Sequence, residues 1–133
     1  WALASPSGHL ELKGAIVGFY PGFTGLDRIA LSRYLKESEA RVKLEPGMEA
    51  IAAKLDAGEL AGGIGEVLAI TAMANAHGWQ ANELPLERYP VVLGLWRGDL
   101  TLKRRLEEVL SDLRSDGTVG RIADRYGLTA ALE

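Results

Sequence analysis

Short apolar runs in this chain alternate with segments of helical periodicity, and glycine, proline or a capping residue marks nearly every switch. That alternation is the tightest constraint on the fold. Strands separated by helix-length crossovers can share one sheet only if most of them run parallel. The first such run is Ala15–Phe19 (AIVGF), apolar and β-branched, followed by the loop Tyr20-Pro21-Gly22-Phe23-Thr24-Gly25. Thr24 and Asp27 have capping-box spacing, which predicts a helix start at Gly25 or Leu26, with Leu26, Ile29, Ala30 and Tyr34 on one face. Arg41–Glu45 reads as a second strand. A helix with Met48, Ile51, Ala52 and Leu55 on its apolar face follows and stops at Gly58.

Leu60–Gly65 reads as a glycine-rich strand, and a third helix is expected from about Glu66 to His77, ending at Gly78. Trp79–Leu84 reads as extended, and Tyr89–Trp96 (YPVVLGLW) is the strongest apolar strand run. Asp99 should cap a fourth helix with Leu102, Leu106, Val109, Leu110 and Leu113 on its face. Asp116-Gly117 breaks it before a last helix, Thr118–Tyr126. Residues 1–12 read as a turn-rich lead-in. The predicted order is β-α-β-α-β-α-β-β-α-α: an α/β fold with a mainly parallel sheet flanked by helices on both faces.

Composition limits function. The 133 residues are 47% apolar and 25% charged, a globular mix long enough to build a core. A net charge of -3 argues against a chain built chiefly to bind nucleic acid or an anionic membrane. With no cysteine there is no disulfide framework, thiolate metal site or thiol nucleophile. No run approaches a membrane span of roughly 18 apolar residues. The sequence starts at Trp1 and not Met, which leads us to expect a processed chain or a fragment. Ala2-Leu3-Ala4-Ser5 has the small-residue look of a cleaved leader's end.

Two places can carry chemistry. The loop from Gly18 to Gly25 leaves a strand end and enters a helix N-terminus, where free N–H groups and the helix dipole hold anions. Tyr20 and Phe23 in it can stack on a ligand. The residues equally allow Thr24 to be only a cap and the glycines only a turn. The glycine spacing is neither a dinucleotide fingerprint nor a phosphate loop. Glu66, at the end of the IGE strand, can point into the same crevice and pair with an ammonium group. Alternatively it lies exposed in a first helical turn. His9 and His77 lack neighbours at metal spacing, so we expect no metal and no cofactor. No serine sits in a nucleophile elbow, and no acid/base pair stands out, so we expect no catalytic residue and no enzyme. The patch Arg97, Lys103, Arg104, Arg105 reads as solvated, with pairs such as Arg104–Glu108 within its helix; alternatively it is a docking patch for an acidic partner. The tryptophans Trp1, Trp79 and Trp96 read as packing.

The segments ELKGAIVGFYPGFT, GMEAIAAKLDAGELAGGIGE, YPVVLGLWRGD and LKRRLEEVLSDLRSDGTVGRIADRYGL, in that order, resemble the extracellular solute-binding proteins of bacterial ABC uptake systems, amino-acid-binding type. The likeness runs from about Leu12 to Leu128. It implies one lobe of a two-lobed type II periplasmic-binding-protein fold: a lead-in at 1–11, the second lobe at 12–96, and C-terminal helices at 97–133 that in the family pack on the first lobe. It also implies a periplasmic location, a small amino-acid-like or organic-acid solute, and a membrane transporter as partner. The family's Gly-Ser/Thr-Thr loop appears as Gly22-Phe23-Thr24, and its ligand-amine aspartate falls at Glu66. Its usual aspartate after the helix-ending glycine falls at Ala61. Tyr20, Phe23, Thr24 and Glu66 are therefore the expected ligand-binding residues, around a crevice suited to a bulkier, more apolar solute. A branch of the same fold, the periplasmic partners of quinone-dependent alcohol dehydrogenases (methanol dehydrogenase accessories among them), is the alternative. The apolar stripe of the fourth helix implies a further expectation, a homodimer through the C-terminal helices.

Overall fold

The computed structural model describes residues 1–22, 27–90 and 92–128. It divides into two compact units, Trp1–Arg88 and Tyr89–Glu133. The first holds β1 (Ala2–Ser5), β2 (Ile16–Phe19), α1 (Arg28–Glu37), β3 (Arg41–Leu44), α2 (Met48–Asp56), β4 (Gly62–Gly65), α3 (Val67–His77) and β5 (Gln80–Glu83). The second holds α4 (Leu100–Ser115) and α5 (Thr118–Arg125).

The sheet has the order β3-β2-β4-β1-β5. β2 runs parallel to both β3 and β4, whereas β1 lies antiparallel to β4 and to β5. The expected mainly parallel α/β sheet is therefore present, with one strand reversed inside it. Reading residues 1–11 as a lead-in needs correction, because Ala2–Ser5 is a buried inner strand. ALAS carries no β-branched residue and little apolar bulk, so its pattern gave no strand signal. What makes it a strand is a partner on each side: Leu3 faces Ile64 of β4 and Asn82 of β5.

Alternation along the strands feeds two cores. On one face Ala2, Ala4 and Ile16 meet Ile51, Ala52 and Leu55 of α2 and Ile70, Met73 and Ala74 of α3. On the other, Trp1, Leu3, Val17, Phe19 and Ile64 meet Leu31 and Leu35 of α1. Burying each large apolar side chain is worth roughly 1.5–3 kcal/mol. β4 reads GGIG, and the first of these cores depends on that sequence. A Cβ on Gly63 would lie 2.5 Å from Ile51 Cγ2, and one on Gly65 would lie 2.5 Å from Met48 Cε. Bare backbone on that face lets α2 and α3 sit directly on the central strand.

Helix ends follow local chemistry, with one difference from the sequence expectation. α1 starts at Arg28, capped by Asp27, whose Oδ1 accepts from the N–H of Ile29 at 2.8 Å and of Ala30 at 3.0 Å. Asp27 is thus the cap itself and not the reciprocal partner of one. Thr24 and Leu26, in which the earlier start was read, lie outside the described residues. Gly58 (φ +72) and Gly78 (φ +70) adopt the left-handed conformation that ends α2 and α3 as expected.

In the second unit the run Tyr89–Trp96 is not a strand among its described residues. Val92 and Leu93 are exposed, and Trp96 is 85% exposed. Strand propensity needs a ladder partner. The described elements of this unit are two helices and offer none. Of the expected α4 stripe, Leu106, Val109, Leu110 and Leu113 are half-buried and Leu102 is exposed. Asp99 precedes α4 but makes no capping side-chain bond.

The packing against β4 gives a test. Gly63→Ala should destabilise the first unit by about 1–3 kcal/mol through overpacking of Ile51. Urea unfolding should show a lower midpoint at unchanged slope. Gly120→Ala, in α5 with open space around the new Cβ, should leave that transition where it was.

Candidate functional site

Because β2, β3 and β4 run parallel, their carboxyl ends lie along one edge of the sheet, and α1, α2 and α3 start from it. Open α/β sheets bind ligands outside this edge. Register places the candidates. Phe19 is level with Leu44 of β3 and with Ile64 of β4. Tyr20, leaving β2, therefore lies between the ends of the two strands that lead to Glu45 and Glu66. Tyr20 is half-buried, packed on the core formed with α2 and α3. The structure brings Tyr20 and Glu66 to one edge; Phe23 and Thr24 lie outside the described residues.

Glu66 is the N-cap of α3, with its Oε1 accepting from the N–H of Leu68 at 3.3 Å. The residue is half-buried and extended (φ -66, ψ 140), just before the helix and not in its first turn. Its Oε2 has no partner among the described residues. At α1 the first N–H groups go to Asp27. At α2 the N-cap is Gly47, which has no side chain to offer, so no side chain caps that helix's first amides.

Sequence reasoning missed Glu45. It follows β3, its N–H donates to Phe19 O at 2.9 Å, and its side chain is only 2% exposed. Lys54 of α2 reaches in with Nζ 2.8 Å from Oε1 and 2.7 Å from Oε2. The pair ties α2 to the end of β3. Nine residues separate the partners, and no helix or strand period makes that spacing a signal. Of the four carboxylates at this edge, Asp27, Glu45, Glu66 and Glu49 in the first turn of α2, only Glu45 has a cationic partner among the described residues. The edge therefore carries negative charge that helix N-terminal amides offset only in part, which suits a ligand ammonium group.

Trp1, Trp79 and His77 take packing places, whereas His9 is exposed and Trp96, expected to pack, stands in solvent. His77 ends α3, stacks on Trp79 with ring centroids 4.4 Å apart, and sets Nδ1 3.6 Å from Asp56 Oδ2. Trp1 is buried edge-on to Phe19, and its indole N–H donates to Asp27 O at 3.2 Å. Among the described residues no cluster of His, Asp or Glu is arranged to hold a metal. None of their helices is long and apolar enough to cross a membrane.

Removing one partner of the Glu45–Lys54 pair should be costly. Lys54→Met should lower stability by about 1–3 kcal/mol, the penalty of a buried polar group left unsatisfied. Water reaches Lys54, which is 40% exposed, and keeps the loss below that of a fully buried pair. Adding Glu45→Gln to Lys54→Met should recover part of it. Urea unfolding of the two variants measures the difference.

No protein-family profile and no curated protein matches the sequence. Solved structures do match the fold. An ancestral arginine-binding protein bound to arginine superposes with a TM-score of 0.62 at 16% identity, over 94% of this chain and 58% of its own. Substrate-binding domain 2 of GlnP from Lactococcus lactis, in its open conformation, gives 0.63 at 20% identity, over 94% and 56%. A structure from glutathione import via GshT and the cystine ABC importer TcyBC of Streptococcus mutans gives 0.60 at 20% identity, over 94% and 57%. The chain thus has the α/β fold of one lobe of a two-lobed solute-binding domain, and it spans less than three-fifths of the length of these neighbours.

Proposed function

We propose that this chain is the ligand-binding module of an extracytoplasmic solute-binding protein that serves an ABC importer. The observation that carries this reading is the sheet edge where Tyr20 and Glu66 leave adjacent parallel strands, in a fold shared with amino-acid-binding domains. In this reading Glu66 Oε2 takes the ammonium group of a small amino-acid-like solute. Tyr20 and Phe23 pack on its side chain. Thr24 donates its hydroxyl to the solute carboxylate. Asp27 already occupies two amides of α1. The carboxylate then relies on the Thr24 loop and on the uncapped amides of α2. The second unit, with its half-covered α4 stripe and exposed Trp96, is the part that packs on the other lobe.

A melting-temperature screen of the protein against zwitterionic amino acids and organic acids tests the reading. A ligand at about 100 times its Kd should add about 2.7 kcal/mol of apparent stability. Glu66→Ala should abolish the shift for amine-bearing solutes. Thr24→Ala should weaken it for those with a carboxylate. A shift that survives both substitutions would reassign the site, and no shift with any zwitterion would remove the reading.

A further inference from the structure

β3 is one of the two lateral edge strands of the sheet, β5 being the other. All four residues of β3 are exposed, and among the described residues no strand pairs its outer side. Arg41 donates its N–H to Ala15 O at 2.8 Å, and Glu45 donates to Phe19 O. Alternation then turns the N–H and C=O groups of Val42 and Leu44 outward. Such an edge is a template for another strand.

Its side chains specify which strand. Val42 (43% exposed) and Leu44 (74%) are in register with Val17 and Phe19, so they lie on the face that α1 covers further in. Arg41 and Lys43, in register with Ile16 and Gly18, lie on the opposite face. The stretch of sequence that holds β3 is basic. Residues 28–43 carry Arg28, Arg33, Lys36, Arg41 and Lys43 against Glu37 and Glu39, a net +3 in a chain of net -3. Arg28, Arg33 and Lys36 also line one shallow hollow on α1 with exposed Ile29 and Ser32, and none has an ion-pair partner among the described residues.

We propose that the β3 edge docks an extended acidic segment of a partner protein, which adds as a sixth strand with alternating carboxylate and apolar side chains. The carboxylates lie beside Arg41 and Lys43, and the apolar residues cover Val42 and Leu44. Cross-strand pairs of opposite charge and of apolar groups are the unit of such pairing. A second copy of this edge is disfavoured, because it would bring Arg41 and Lys43 against like charges. An anionic membrane would satisfy the cations but leave the outward backbone groups unused. The proposal does not depend on the solute site.

Fluorescence anisotropy on the full chain tests it. The probe is a short labelled peptide alternating glutamate and valine. It should bind, and a peptide of the same composition with its glutamates in one block should bind at least about tenfold more weakly. N-methylation of alternate peptide amides should abolish binding, with no change made to the protein. Charge reversal by R41E together with K43E, at exposed side chains, should weaken binding at least about tenfold. Circular dichroism checks that this variant stays folded. Equal binding of the alternating and block peptides would overturn the proposal, as would indifference to N-methylation or to charge reversal. Binding of phosphatidylglycerol vesicles in place of the peptide would also overturn it.

Discussion

The bare backbone of β4 is the constraint on which the rest of the first unit depends. Gly63 and Gly65 present no side chain to Ile51, Met48 and Ile70, so two helices pack against the same central strand. Their close approach shapes the carboxyl edge of the sheet. It seats the start of α3 at the end of β4 and makes Glu66 the cap of that helix. It also brings α2 near enough to β3 for Lys54 to reach the buried Glu45 carboxylate.

Charge is distributed unevenly around this frame. The carboxyl edge holds Asp27 and Glu66 without cationic partners among the described residues. The stretch 28–43, which forms α1 and β3, carries an excess of cations. An overall charge of -3 conceals both. The two regions have different chemistry because different layers build them. The carboxyl edge is made by strand ends and helix starts, where acidic caps are favoured by the N-terminal dipole. The β3 side is an outer strand and a solvent-facing helix, where basic residues guard an open edge against copies of itself.

Most of the fold was legible in the sequence because its strongest signals are local. The AIVGF and RVKLE runs, the apolar spacing of α2 and the left-handed glycines after α2 and α3 all act within a few residues. Two elements escaped that logic in opposite directions. Ala2–Ser5 has weak strand propensity yet becomes an inner strand, because β4 and β5 supply its ladder on both sides. Tyr89–Trp96 has strong propensity yet forms no strand over its described residues, because the described elements of its own unit offer no partner. At the candidate site, Tyr20 and Glu66 could be read from strand-end positions. Asp27's role as cap was seen only as half of a longer box, and the Glu45–Lys54 pair had no sequence period to reveal it.

The sequence by itself determined the alternation of strands and helices, the positions of the turns and the absence of thiol chemistry. These follow from side-chain periodicity, backbone conformational limits and composition, which are properties of neighbouring residues. Tertiary structure alone decided the strand order, the reversal of β1, the burial of Glu45 and the place of β3 at a side of the sheet. Each of these depends on contacts between residues far apart in the chain, and the energy of such a contact exists only once both partners are in place.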